Sequence, residues 1–563
     1  MPRNYQLVLL NNRVTNRNMT TQKIKKTITP KTLGQGTHSP KNESPWAPFQ
    51  YKTFRFIWIA TVVSNMGTWM HDVGAAWLMT TLTSDPFMVA MIQAATAFPI
   101  FLFALPAGAM ADIVNRRRYL LVVQLLMATT AILLTLATWF GMTTPEVLIV
   151  FTFLLGCGAA FNAPAWQAVT PELVPKQQLT AAVALNSIGI NVSRAIGPAL
   201  GGVLIALHGP VLAFALNALT FVGIIWVLLC WRTERVETAL PTERFFNALR
   251  TGLRYARHSQ SIHIVAIRAV AFFISASAIW ALLPLLARSV LNQGAGGFGL
   301  LLGAVGLGAV IGATQLPGLR KSLNSDQLVM SASAAISVCA FGLAFTQNFL
   351  LAIALMFFTG MAWIMVLSTL NVAAQKAAPS WVRARVLSVY LVVFFGSMAF
   401  GSAIWGQVAK LLSISDALLI AAATQLLGIA ITAAFHLQKG EGVDNAPSGH
   451  WPAPVVEDEP EPDQGPVLIT VEYLIEPEKK EQFVKLMKEL HRARKRDGAF
   501  FWSMFSDVAN PNRIVETFMT ESWLEHLRQH ERSTNADYVL QKSISDISIT
   551  SQSPIVEHYV AFR

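Results

Sequence analysis

Phe87–Ala111 reads FMVAMIQAATAFPIFLFALPAGAMA, 25 residues without one ionisable group. It is followed by Asp112-Ile-Val-Asn-Arg116-Arg117-Arg118, and then by the apolar run Tyr119–Phe140. A hydrocarbon core about 30 Å thick takes roughly 20 apolar residues per helix. This pair of stretches therefore reads as two membrane helices joined by a basic loop. Val147–Ala168, Val211–Trp231 and Leu418–Phe435 extend the pattern. The spans expected are 54–82, 86–111, 118–140, 146–168, 181–207, 210–231, 262–288, 298–318, 326–346, 349–373, 386–411 and 415–436. The chain reads as an all-α polytopic membrane protein with twelve transmembrane helices in two six-helix bundles.

Composition agrees, with 53% hydrophobic and 13% charged residues. The net charge of +11 sits in alternate loops, at Arg116–Arg118, Lys176, the Arg232–Arg257 segment, Arg320, Lys321, Lys376, Arg383 and Arg385. The intervening loops hold mainly Arg288 and Lys410. Charge so placed sets topology and argues against a nucleic-acid partner; it puts both termini in the cytoplasm. Cys157, Cys230 and Cys339 all fall in apolar stretches and read as small buried hydrophobes, without a disulfide framework.

The domain boundaries expected are a disordered basic tail (1–45), a first six-helix bundle (46–231), a cytoplasmic connection (232–261) and a second bundle (262–438). An acidic, Pro-rich flexible linker (439–465) and a soluble domain (466–563) follow. The N-terminal tail has eight Lys or Arg and the single acid Glu43, and no signal peptide is expected there. In the connection, Arg250, Arg254 and Arg257 repeat with helical period opposite Phe246, Leu249 and Leu253, as in an amphipathic helix on the inner membrane surface. The last domain alternates strand and helix patterns in the order β-α-β-β-α-β, a ferredoxin-like α+β fold. Val467, Ile469, Val471, Phe501, Ile514 and Phe518 are expected to supply a face for self-association.

The two halves look alike. Asn162-Ala-Pro-Ala-Trp-Gln167 precedes Pro171 and a glycine-rich helix, and Asn371-Val-Ala-Ala-Gln375 precedes Pro379 and another. A six-plus-six repeat suits a transporter holding its substrate between the bundles near mid-membrane. Charges inside the spans are few and usually face a cavity. Asp72 is the candidate proton-coupling carboxylate; Arg194 is a candidate to hold Asp72 or an anionic substrate, and Arg268 lies near the end of its span. His71 is expected to face a neighbouring helix. Asn65, Gln93, Asn162, Gln167, Asn186, Asn191, Asn371 and Gln375 could line a polar pathway or bond between helices. His526 and His530 have a metal-capable i, i+4 spacing, but no third ligand is evident from the sequence, so no metal or cofactor is expected.

Gly108-Ala-Met-Ala-Asp112-Ile-Val-Asn115-Arg116-Arg117-Arg118 resembles the inner-gate signature of the major facilitator superfamily, with Ile113 and Asn115 departing from its basic and glycine positions. Gly197-Pro198-Ala-Leu-Gly201-Gly202 resembles the superfamily's antiporter element, which implies export. The resemblance narrows with Asn162–Gln167, Pro171–Pro175, Ala184–Pro198, Ala278–Arg288 and Trp381–Arg385, which look like the bacterial transmembrane secretion effector group and its enterobactin exporter-like branch. It implies a major facilitator fold and proton-driven export of a small molecule (a siderophore, drug or metabolite) across a bacterial inner membrane, with protons and membrane lipid as partners. Glu516-Thr-Phe and Glu521–His530 are similar to dimeric α/β-barrel domains of the antibiotic-biosynthesis monooxygenase type. Two other readings stand beside this one: a membrane-anchored protein whose tail binds or oxidises a metabolite, and a non-transporting sensor.

Overall fold

The computed structural model describes residues 44–231, 245–379, 381–437, 444, 446–451, 454, 456, 458, 460–549 and 554–562. The basic N-terminal tail up to residue 43 and the start of the cytoplasmic connection, 232–244, lie outside them. The first half is built from α1 (Lys52–Leu82), α2 (Pro86–Ile113), α3 (Arg116–Trp139), α4 (Pro145–Leu173), α5 (Leu179–His208) and α6 (Pro210–Cys230). A connecting helix, α7 (Phe245–His258), leads to α8 (Gln260–Leu285), α9 (Ala295–Ser322), α10 (Ser325–Phe345), α11 (Phe349–Lys376), α12 (Arg383–Leu411) and α13 (Ile414–Thr432).

Polar residues with short reach start half of the twelve long helices. Asp85 accepts from the Phe87 N–H with Pro86 in the first turn, and Asn115 accepts from Arg118. Thr144 and Ser413 do the same for α4 and α13, and Asn324 forms a reciprocal capping box with Gln327. Each cap satisfies amides that lack a partner in the first turn. Among the described residues, eleven helices are long and apolar enough to cross a membrane, α2–α6 and α8–α13. α1 packs among them against α5 and α6.

The packing repeats. α1 lies on α5 and α6 as α8 lies on α12 and α13, and α2 lies on α4 as α9 lies on α11. The halves meet through α2 against α12 and α5 against α9. Backbones approach closely where glycine allows it. A Cβ on Gly308 would run into the Phe357 carbonyl oxygen, and one on Gly202 would lie 2.7 Å from the Gly299 Cα. Small residues are the usual means of tight helix contact in lipid, where apolar burial gives no drive. Of the three cysteines, Cys339 is buried, but Cys230 is exposed on the outside of the bundle, contrary to expectation.

Beyond the helices the chain forms β1 (Val467–Leu474), α14 (Lys480–Asp497), β2 (Phe501–Ser506), β3 (Arg513–Thr520), α15 (Trp523–Arg532), α16 (Asn535–Ser545) and β4 (Ile555–Val560). The strands make one antiparallel sheet in the order β2-β3-β1-β4. The core lies between this sheet and the helices, on Phe483, Met487, Leu490, Ile469 and Phe518. Val467, Ile469, Val471, Ile514 and Phe518 therefore point into the domain's own core and are not free for a partner; of the six residues expected on an open face, Phe501 remains exposed. Beneath the sheet, the fully buried Glu516 carboxylate accepts from Arg494 Nε (3.0 Å), Trp502 Nε1 (2.8 Å) and Tyr473 Oη (3.1 Å). So many donors offset the cost of burying the charge.

The acidic linker was expected to leave this domain tethered, and α7 was expected on the membrane surface. Instead α7 packs between α12 and α14. Arg250 pairs with Glu521 (2.7 Å) and Arg254 with Glu525 (3.1 Å), so four-residue spacings on both chain segments match rung for rung. The Arg532 guanidinium lies 4.8 Å from the Trp381 ring in the loop before α12, and Arg496 lies 5.7 Å from that of Tyr255. Described parts of the linker are held as well: the Trp451 Nε1 donates to Gln541 (2.8 Å) and the Ser448 N–H to the Ser533 carbonyl (3.0 Å). Exchanging charge at one rung, in Arg254→Glu or Glu525→Arg, should remove a charge-assisted bond worth about 1.5–3 kcal/mol. Amide hydrogen exchange in α7 and α15 should quicken in each single variant and return towards wild type in the double exchange; equal protection in all four proteins would contradict the docking.

Candidate transport pathway

Every third or fourth residue of α1 faces the middle of the molecule, and Trp69, Asp72, Val73 and Ala76 form that stripe. The opposite face of α1 is thinned by Gly67 and Gly74 so that it can lie on α6. There His71 is buried with its ring centroid 4.8 Å from that of Phe214, facing the neighbouring helix as expected. Gly197 and Gly201 of α5 sit against Trp69 and Met70 of α1, while Gly202 faces α9 in the other half. The antiporter-like element thus presses α5 onto the turn that carries Asp72 and onto the opposite bundle at once.

Between the halves lies a cavity of about 370 Å³, within the range of small-molecule sites. Its polar groups come from the first half: Asp72, Gln93, Thr96, Thr152 and Arg194. The second half contributes Trp280, Phe298, Trp363, Phe394 and Phe395. Trp363 is held edge-on by Trp280 (centroids 5.1 Å apart) and Phe273 (5.4 Å), which fixes the aromatic wall. Arg194 reaches the same space with its guanidinium 5.9 Å from the Trp69 ring. Among the described residues no ion pair joins Asp72 to Arg194, so both charges are presented to the cavity.

The other expected pathway residues lie elsewhere. Asn162 accepts from Gln124 (3.0 Å) and Asn186 donates to Thr170 (2.9 Å), both bonds between helices. Gln167 is exposed, as are Asn371 and Gln375, which bond along their own helix (3.4 Å). Arg268 is a correction of a different kind. Its side chain is 1% exposed, pairs with Asp326 (2.7 Å) and donates to the Phe435 carbonyl (2.9 Å). Asp326 also accepts the Leu437 N–H (3.0 Å), so the pair ties α8, α10 and the segment that follows α13 together rather than lining a path. The sequence offered a signal for this, a carboxylate at the start of the ninth span on the same side as Arg268.

At the gate-like loop, a Cβ on Gly108 would lie 3.9 Å from the Ser388 hydroxyl across the halves. The side chain of Asp112 lies outside the described residues. Arg116 pairs with Glu172 at the end of α4, and Arg117 donates to the carbonyls of Leu228 (2.8 Å) and Leu229 (2.6 Å). The basic cluster therefore binds its own half, one arginine to a carboxylate and one to the unsatisfied end of α6. At the opposite end the halves are bonded to each other, Lys410 to Asp85 (2.7 Å) and Arg288 to Thr80 (3.2 Å). The hydrogen bond from Lys410 holds the Asp85 carboxyl below the usual carboxylate range.

In the C-terminal domain, the topology adds a third imidazole to the two seen in sequence. His558 on β4 joins His526 and His530, with one ring nitrogen of each within 4.8 Å of the others.

Paired bundles around a polar, aromatic-walled cavity define a membrane transporter. The chain belongs to the transmembrane secretion effector family of the major facilitator superfamily, whose pattern it matches over residues 43–563. It is 24% identical to a staphyloferrin A transporter of Staphylococcus aureus over 60% of this chain and 85% of that protein. With an enterobactin exporter of Salmonella typhimurium it shares 28% identity, over 52% of this chain and 70% of that one. A macrolide efflux protein of Streptococcus pyogenes is 21% identical over 42% of this chain and 60% of its own length. Among solved structures, an auto-inhibited peptide transporter of the POT family superposes with a TM-score of 0.57, at 14% identity, covering 71% of this chain and 99% of that one.

Because Arg268 and Asp326 are buried together, removing one partner strands the other. Asp326→Ala should cost about 3–5 kcal/mol, read as a fall in the melting temperature of the detergent-purified protein. The apolar pair Arg268→Met with Asp326→Leu should recover most of it. Equal melting of Asp326→Ala and wild type would refute the pairing.

Proposed function

We propose that this chain is a proton-coupled exporter of a small molecule, working by alternating access across a bacterial inner membrane. α1 is the twelfth span, completing two six-helix bundles, and both termini lie in the cytoplasm, as the basic loops direct. The observation that carries this reading is one cavity walled by both halves that receives Asp72 and Arg194 from the first and an aromatic wall from the second. Asp72 is the proton site. Arg194 binds an oxygen anion of the cargo while Trp280 and Trp363 take its flat apolar part. The names of the relatives, a siderophore transporter, an enterobactin exporter and a macrolide efflux protein, support siderophores or drug-like molecules as the cargo class.

With the basic loops inside, the bonds Lys410–Asp85 and Arg288–Thr80 join the halves at the outer end, as an inward-facing state requires. Opening outward breaks them, and the weak energy of exposed pairs makes that step shallow. Protonation of Asp72 then biases the exchange between states. In everted vesicles with an imposed pH gradient, and staphyloferrin A, enterobactin and a macrolide as trial cargoes, Asp72→Asn should lose gradient-driven uptake while keeping gradient-independent counterflow. Uptake at the wild-type rate would overturn the assignment.

We further infer that the C-terminal unit is a ferredoxin-like domain of the dimeric-barrel kind. Its strand order β2-β3-β1-β4 supports this, and so does the uncovered sheet face with Phe505 (54% exposed), Ile555 (62%) and Tyr559 (51%). A second copy covers that face. Phe505→Cys in the full chain, with the native cysteines replaced, should give a covalent dimer on mild oxidation in liposomes; a monomer throughout would rule it out.

A further inference from the structure

The soluble domain holds a cluster of side chains for which transport has no use. α15 presents His526 and His530 one turn apart on one face. β4 pairs with β1 so that His558 stands opposite Ile469 and shares the inward side of the sheet. The His526 and His530 Nε2 atoms are 3.2 Å apart, and the His526 ring centroid is 4.7 Å from those of both His530 and His558. His526 is 1% exposed, and the His526 Nδ1 and His558 Nε2 are buried without a hydrogen-bond partner. An unpaired buried polar atom is costly, and three imidazoles with one ring nitrogen of each within 4.8 Å of the others suit a ligand that accepts nitrogen lone pairs.

We propose that His526, His530 and His558 form a binding site for a divalent first-row transition-metal ion of the Zn²⁺ type. Three imidazoles without thiolate or carboxylate suit Zn²⁺, Ni²⁺, Cu²⁺ or Fe²⁺ and exclude Ca²⁺ and Mg²⁺, which demand oxygen. At Zn–N distances of about 2.0–2.1 Å, tetrahedral ligand atoms are about 3.3 Å apart, so the nitrogens, all within 4.8 Å, need small side-chain rotations to close on an ion. Metal binds the neutral ring. Arg494 is neutralised by Glu516, which limits its repulsion of an incoming ion. Three protein ligands leave a fourth position for water or for an oxygen donor on a small molecule. α15 also carries Glu525, the partner of Arg254, so the ion would brace the helix that docks the domain on α7.

The test uses the full-length protein in detergent, free of any affinity tag, stripped with chelator and titrated with Zn²⁺ or Co²⁺ alone. Wild type should retain a single Zn²⁺ per chain after desalting and give the visible absorption of tetrahedral Co²⁺. His530→Gln and His558→Gln, both at half-exposed positions, should each bind more than about tenfold more weakly, beyond the loss typical of an outer partner. They should also lose the Co²⁺ band while melting as the metal-free wild type does. Metal content equal to that of the triple variant His526→Gln/His530→Gln/His558→Gln would overturn the site, as would unchanged affinity in either single variant. None of these readouts depends on transport, so the exporter reading stands or falls separately.

Discussion

Hydrocarbon offers a peptide group no hydrogen bond, so every amide inside the membrane must be satisfied by its own helix or a neighbour. That constraint shapes most of what is seen here. It makes the spans long unbroken helices and favours a capping side chain where one starts, as at α2, α3, α4, α10 and α13. It leaves close glycine contact as the means of joining helices where apolar burial brings no gain. It also makes each intramembrane charge conspicuous. Arg268 meets the constraint by pairing with Asp326, whereas Asp72 and Arg194 meet it by facing a cavity.

The same physics explains what could be read in advance. Spans were legible because about 20 consecutive apolar residues have one economical home, and the observed helices begin and end within a few residues of the expected ones. Asp72, Arg194 and Gln93 were legible as cavity residues, the first two because a charge in lipid is expensive. Asn162 and Asn186 take the interhelical role that was also open to them, while Asn371 and Gln375 take neither, because composition gives depth along a helix but not direction around it. Whether an amide faces a groove, a neighbour or the outside depends on which helices lie beside it. Trp280 and Trp363 gave no signal, since an aromatic residue in an apolar span is indistinguishable from lipid-facing bulk.

Contacts between distant segments were the least visible. The reading of a tethered tail came from Pro and acid content, which describe a linker but not the ends that it joins. The rungs Arg250–Glu521 and Arg254–Glu525 link segments far apart in sequence, and no local pattern announces them. His558 escaped for the same reason: it becomes the neighbour of His526 through strand pairing. The sheet face was misjudged more simply, because alternation shows that a strand has two faces without saying which one the helices cover.

The C-terminal domain is gripped by α7 and the loop leading into α12, which pack chiefly on the second bundle. A carrier that rocks its halves about a central site would swing this domain like a pointer fixed to one hand of a clock. Its sweep against the first bundle would turn a small rotation deep in the bilayer into a large displacement in water, where other molecules can sense which way the carrier faces.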